Sequence, residues 1–101
     1  MIIYNVTLSI NPAMETLVIQ WLKEEHIPEV LDTGLFMGHD IFKVIEDPKD
    51  RKHNSYAVQY KLESWAHYNT YALEHADRLK EITQKKFGEN VLAFRTFLEK
   101  C

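Results

Sequence analysis

An α+β domain of order β-α-β-β-α-β is what the sequence predicts, and three observations predict it. Apolar and polar residues alternate over residues 2 to 10 and again over 56 to 62, the period-two signature of strands buried on one face. Two stretches between strands repeat apolar residues at i, i+3, i+4 and i+7, the stripe of a helix lying on a core. Helix starts and stops fall between these segments and leave no room for a seventh element.

In the first strand Ile2, Tyr4, Val6, Leu8 and Ile10 share one face, and Asn5, Thr7 and Ser9 the other. Asn11-Pro12 supplies an N-cap and a first-turn proline. Met14, Leu17, Val18, Trp21 and Leu22 form the stripe of the first helix. Pro28 disfavours the helical state at Ile27, so a break or kink is expected near His26, with a short second piece from Glu29 to Asp32 closing at Thr33-Gly34. A second strand is expected from Phe36 to Ile45, followed by a solvated turn from Glu46 to Lys52. The third strand sets Tyr56, Val58, Tyr60 and Leu62 against Ala57, Gln59 and Lys61, and completes a hairpin. Ser64 caps a second helix with the stripe Tyr68, Tyr71, Ala72, His75, Ala76, Leu79 and Ile82, ended by Gly88. The last strand runs from Asn90 to Glu99. This order is the split β-α-β, ferredoxin-like pattern, with a four-stranded antiparallel sheet and both helices on the face of the even-numbered residues of strands one and three.

The 101 residues make one domain, 1–101; 46% are hydrophobic and 27% charged, a globular balance. Twelve Lys and Arg against fifteen Asp and Glu give a formal net charge of -3, which offers no field for a nucleic-acid backbone. The apolar runs fall far short of the ~20 residues of a membrane span. The N-terminus shows neither a basic start nor a small-residue cleavage site. Cys101 is the single cysteine, so no intrachain disulfide forms, and a cytoplasmic location is expected by default.

The sheet face away from the helices is the informative one. An open face usually carries Lys, Glu and Arg, whereas the two central strands present Asn5, Thr7, Ser9, Ala57 and Gln59. Short neutral polar residues suit an enclosed surface, and a small domain gains burial by pairing. A second copy packed on this face would leave a small lined cavity between two sheets; a plain dimer interface accounts for the same residues.

The runs Glu25-His26-Ile27-Pro28-Glu29-Val30, Thr33-Gly34-Leu35-Phe36, Tyr56-Ala57-Val58-Gln59-Tyr60 and Ala93-Phe94-Arg95-Thr96-Phe97-Leu98-Glu99, with Glu74-His75-Ala76 and Arg78-Leu79, resemble a family of short bacterial proteins known as domain of unknown function 4286. The resemblance covers nearly the whole chain and keeps the family's order. It implies a place in the dimeric α/β-barrel group, in which two ferredoxin-like subunits pack sheet against sheet. That group includes cofactor-free monooxygenases, haem-degrading enzymes and isomerases, and fold alone does not choose among them. Its haem-degrading members use an asparagine on strand one with a tryptophan and a histidine on helix two. Asn5, Trp65 and His75 parallel these, but Trp65 directly follows the cap Ser64 and nothing else resembles a haem pocket.

No metal and no cofactor are expected. His67 and His75 lie eight residues apart on one helix, about 80° out of line and about 12 Å along its axis. His39 and His53 meet no third ligand across the hairpin. His75, on the apolar stripe, is either a ligand-facing acid or base or a packed imidazole bonded to a tyrosine hydroxyl or a carbonyl. His26, between Glu25 and Glu29 at the proline, is either a base at a cleft edge or a partner for backbone groups freed at the break. Arg95, between Phe94 and Phe97, requires a carboxylate or an anionic ligand if it points into the barrel. Glu63, Glu99 or an acid of a second subunit would answer it structurally, and Asn5 and Gln59 would be its neutral neighbours in the inter-sheet cavity. The sequence thus leads to a homodimeric small-molecule-binding or structural domain. The alternative is a cofactor-independent enzyme, monooxygenase-like or isomerase-like, acting on a small aromatic or anionic compound. In it Arg95 and Gln59 orient the ligand, and His26 or His75 moves a proton.

Overall fold

A computed structural model describes residues 1–45 and 54–101. The expected charged turn and His53 lie outside the described residues. The strands are β1 (Ile2–Ile10), β2 (Gly38–Lys43), β3 (Asn54–Leu62) and β4 (Val91–Glu99), and the helices are α1 (Glu15–Trp21), α2 (Ile27–Asp32), α3 (Trp65–Glu74) and α4 (Ala76–Phe87). The sheet is antiparallel in the order β2-β3-β1-β4, with β4 an edge strand.

Register fixes the faces. Tyr4 lies opposite Tyr60 on one side and Phe97 on the other, and Val6 lies opposite Val58 and Arg95. Side chains directly across a ladder share a face, so the even-numbered residues of β1 and β3 point at the helices, as the alternation predicts. Leu8, Ile10, Val58 and Leu62 are buried there against Val18, Leu22, Val30 and Leu79 from the helices.

Five details depart from the expected pattern. A 3₁₀ turn, Pro12–Met14, precedes α1; Asn11 caps it, its Oδ1 accepting from the Ala13 N–H at 3.1 Å. Leu17 stands exposed, outside the stripe. The first helix is not broken at the proline. Residues Leu22–His26 form a π turn in which the Ile27 N–H donates to the Leu22 carbonyl, and α2 continues directly. Proline lacks an N–H and its ring presses on the carbonyl four residues back; a widened turn relieves both and leaves Pro28 in the first turn of α2, where no donor is missed. The second strand starts two residues late because Phe36 turns into the core, 4.9 Å from the Tyr71 ring and 5.3 Å from Tyr60. The second helix divides at His75, whose φ of −130° and ψ of −34° fall outside helical geometry. Gly34 and Gly88 end the helical segments with φ of 77° and 54°, conformations that L side chains rarely adopt.

Candidate functional site

The described residues enclose a cavity of about 460 Å³ between the helices and the sheet, within the size range of small-molecule sites. Its walls are largely apolar, with Val6, Val18, Leu22, Val58 and Leu79 prominent, and its polar groups are Tyr4, Tyr60, Tyr71, His26 and Arg95, with Lys80, Glu81, Thr83 and Gln84 along α4. Lys80 and Gln84 of α4 line it together with Arg95 of β4, and all three are exposed, so the opening lies between that helix and the edge strand.

Arg95 reaches this side because it sits across from Val6. Its Nε donates to the Tyr4 hydroxyl at 3.1 Å. The ion pairs among the described residues are Lys43–Glu15, Lys61–Asp40 and Lys85–Glu81, and none includes Arg95. Tyr4 is the hub of an aromatic cluster, with the rings of Phe36, Tyr60, Tyr68, Tyr71 and Phe97 between 5.3 and 6.1 Å away. Burial pushes the Tyr60 and Tyr71 hydroxyls above their ordinary value, and Tyr4 is raised by burial against the opposing pull of Arg95. At neutral pH all three are protonated donors.

His26 belongs to the π turn and stacks on Trp21, ring centroids 4.8 Å apart and planes 22° apart. Burial, with the Arg95 charge adding to it, pushes the imidazole down to about 4, so it is neutral at pH 7. Its Nδ1 is sealed from solvent and has no hydrogen-bond partner among the described residues; it does not satisfy backbone groups of the helix. The Nε2 edge is therefore the one a ligand can reach.

The sequence-derived candidates thus divide between two faces. His26 and Arg95 line the helix–sheet cavity. Asn5 and Gln59 are paired across β1 and β3 on the opposite face of the sheet, so the expected grouping of Arg95 with them in one inter-sheet cavity does not hold. Alternation makes the reason simple: Asn5 lies opposite Thr96, the neighbour of Arg95. Asn5 is 8% exposed; its Nδ2 donates to Thr7 Oγ1 and Thr96 Oγ1, and its Oδ1 has no partner among the described residues. His75 is half-buried at the junction of α3 and α4, outside the cavity wall, where an Arg78 terminal nitrogen lies 3.0 Å from its Nδ1. Among the described residues it is bonded neither to a tyrosine hydroxyl nor to a carbonyl. Asn5, Trp65 and His75 do not converge, since Asn5 lies on the far face of the sheet and half of Trp65 is exposed. His67 Nδ1 is 2.7 Å from the Ser64 hydroxyl. Tyr4, Tyr60 and Tyr71 line the cavity although their sequence pattern marks them only as core; even parity gives their face but no sign that the core holds a cavity.

These features define a ferredoxin-like α+β domain with a cavity between its helices and its sheet. The chain belongs to the family described as domain of unknown function (DUF4286), which it matches over residues 1–101. No curated protein matches it. Among solved structures it is similar to an ethyl tert-butyl ether d (ethd) family protein from Bacillus halodurans, at 12% identity and a TM-score of 0.70, with 100% of each chain covered. It is similar also to a dimeric ferredoxin-like protein from an uncultured marine organism, at 11% identity and a TM-score of 0.67, covering 96% of this chain and 92% of that one. A third similar structure is an antibiotic biosynthesis monooxygenase, at 18% identity and a TM-score of 0.63, covering 100% and 99%. Likeness at such identity concerns the fold.

Proposed function

We propose that this protein is a homodimeric small-molecule-binding domain whose ligand, a ring compound with an anionic group, occupies the helix–sheet cavity. The observation that carries the reading is Arg95, a cation at the mouth of an apolar cavity, held by Tyr4 and in no ion pair among the described residues. A guanidinium in such surroundings favours an anionic partner. Lys80 adds a second positive charge at the opening, while Glu81 is engaged by Lys85 at 2.9 Å. The homodimer is supported by the other face of the sheet. Phe42, Leu92, Phe94 and Leu98 stand exposed around the polar centre at Asn5, an apolar rim that a second copy would cover. The similar marine protein is described as dimeric. A cytoplasmic location goes with this reading, since Cys101 is exposed and unpaired.

Titration with 2-naphthoate, followed by isothermal calorimetry, tests the ligand site. Arg95→Ala should weaken binding at least about tenfold, the loss of a charge-assisted hydrogen-bond pair; equal affinity of the two proteins would refute the assignment. Native mass spectrometry tests the assembly: a dimer is expected, with Phe94→Asp a monomer.

A second reading, a cofactor-independent enzyme of monooxygenase-like or isomerase-like type, is favoured by the neutral imidazole of His26 in the cavity wall and by its place in a π turn, a distortion frequent at functional sites. The similar antibiotic biosynthesis monooxygenase supports the same reading. Conversion of a bound compound that disappears in His26→Phe, measured by mass spectrometry of the small-molecule fraction, would establish it over simple binding.

A further inference from the structure

The polar groups of the cavity differ in kind, and together they restrict its occupant further than a single anion contact does. Arg95 spends its Nε on Tyr4. Its two terminal nitrogens remain, a fork whose spacing matches the two oxygens of a carboxylate. His26 is the second anchor. One face of its ring is closed by Trp21 and its Nδ1 is sealed without a partner among the described residues, so a ligand approaches it in the ring plane at Nε2. Because the imidazole is uncharged at neutral pH, a neutral hydrogen-bonding group meets it with no change of protonation state. With Nδ1 unpaired, either tautomer is open to the ring, and Nε2 donates in one and accepts in the other. A hydroxyl both donates and accepts, so it answers either tautomer, whereas a carbonyl answers one. Apart from Lys80, Glu81, Thr83 and Gln84 of α4, the remaining walls are aromatic and aliphatic, suited to a flat apolar body.

Resting on the anionic-ligand reading above, we propose that the cavity takes a hydroxylated aromatic carboxylic acid. Its carboxylate sits on the terminal nitrogens of Arg95, and its hydroxyl meets Nε2 of His26. His26 is on this view the residue that selects among acids, and Arg95 the one that admits them.

The test compares 2-naphthoate with 6-hydroxy-2-naphthoate and 1-hydroxy-2-naphthoate by calorimetric titration at pH 7.5. At least one hydroxy acid should bind about fivefold more tightly than the parent acid, the gain of one buried neutral hydrogen bond. His26→Phe, which keeps a flat ring on Trp21, should abolish that preference, so that hydroxy acids and parent acid bind with equal affinity. Far-ultraviolet circular dichroism checks that the variant is folded. His26→Gln, which restores a donor and an acceptor, should recover part of the preference. Arg95→Ala should weaken all three acids alike. If no hydroxy acid outperforms the parent, or if the preference survives in His26→Phe, the proposal is overturned while Arg95-dependent binding of 2-naphthoate leaves the simpler ligand reading intact. Failure of every acid to bind overturns both.

Discussion

Replacing His26 by phenylalanine should flatten the dependence of stability on mild acid. In the unfolded chain the imidazole titrates near 6.5, and in the folded protein near 4. Between these values the unfolded state carries the extra proton, so stability is whole above pH 6.5 and declines as the pH falls toward 4. One proton of difference is worth about 1.4 kcal/mol per pH unit. The wild-type protein should therefore lose about 2 kcal/mol from this source between pH 7 and pH 5, and about 3 kcal/mol over the whole window. Urea denaturation of both proteins at pH 7 and pH 5 measures the difference directly, because the other histidines and all carboxylates are common to both. Phenylalanine preserves a ring against Trp21 and so isolates the charge. If the two proteins lose the same stability to within about 0.5 kcal/mol, the folded imidazole accepts its proton without penalty. The enclosure described for His26 would then be refuted.

Leu62→Ala should cost about 3 kcal/mol in the same assay, since Leu62 is completely buried at 0% exposure beneath the helices; a loss under about 1 kcal/mol would mean that the neighbouring core side chains collapse to fill the space. Tyr56→Phe should raise the Glu15 carboxyl toward its ordinary value. The Tyr56 hydroxyl is the main cause of its depression, with Asn54 and Lys43 helping. Because a depressed carboxyl stabilises the fold above its unfolded pKa and loses that contribution as the pH falls, the variant should show less acid sensitivity than wild type; a carbon-detected NMR titration of Glu15 reads the shift.

Strand identity and facing were legible because they depend on local alternation. Tyr4, Leu8 and Ile10 declare the buried face of β1 without reference to any other segment, and Val58, Tyr60 and Leu62 do the same for β3. β4 gave no such signal. Val91, Ala93 and Phe97 lie on one face, and Leu92, Phe94 and Leu98 on the other, so both look apolar and the facing of Arg95 depends on its pairing with Val6. This is why the sequence offers Arg95 as a candidate ligand contact without placing it on the helix side of the sheet. His26 had the reverse history. Pro28 marked an irregularity near it correctly, but a helix that breaks and a helix that widens differ through packing on the sheet, which a local sequence window does not carry.

The π turn has a further consequence as a matter of phase. A turn that closes from Ile27 to Leu22 holds one residue more than its α-helical counterpart. Each helical residue advances the chain by about 100°, so the extra one rotates all that precedes it relative to all that follows. Trp21 and His26 are five positions apart, a spacing that a regular helix splays widely, yet their rings lie face to face. Removing a single residue from this segment would leave composition and apolar content almost untouched, and would return the helix to an even winding in which the stacked pair is out of step. The geometry of the cavity wall is in that sense written as a count of residues as much as a choice of them.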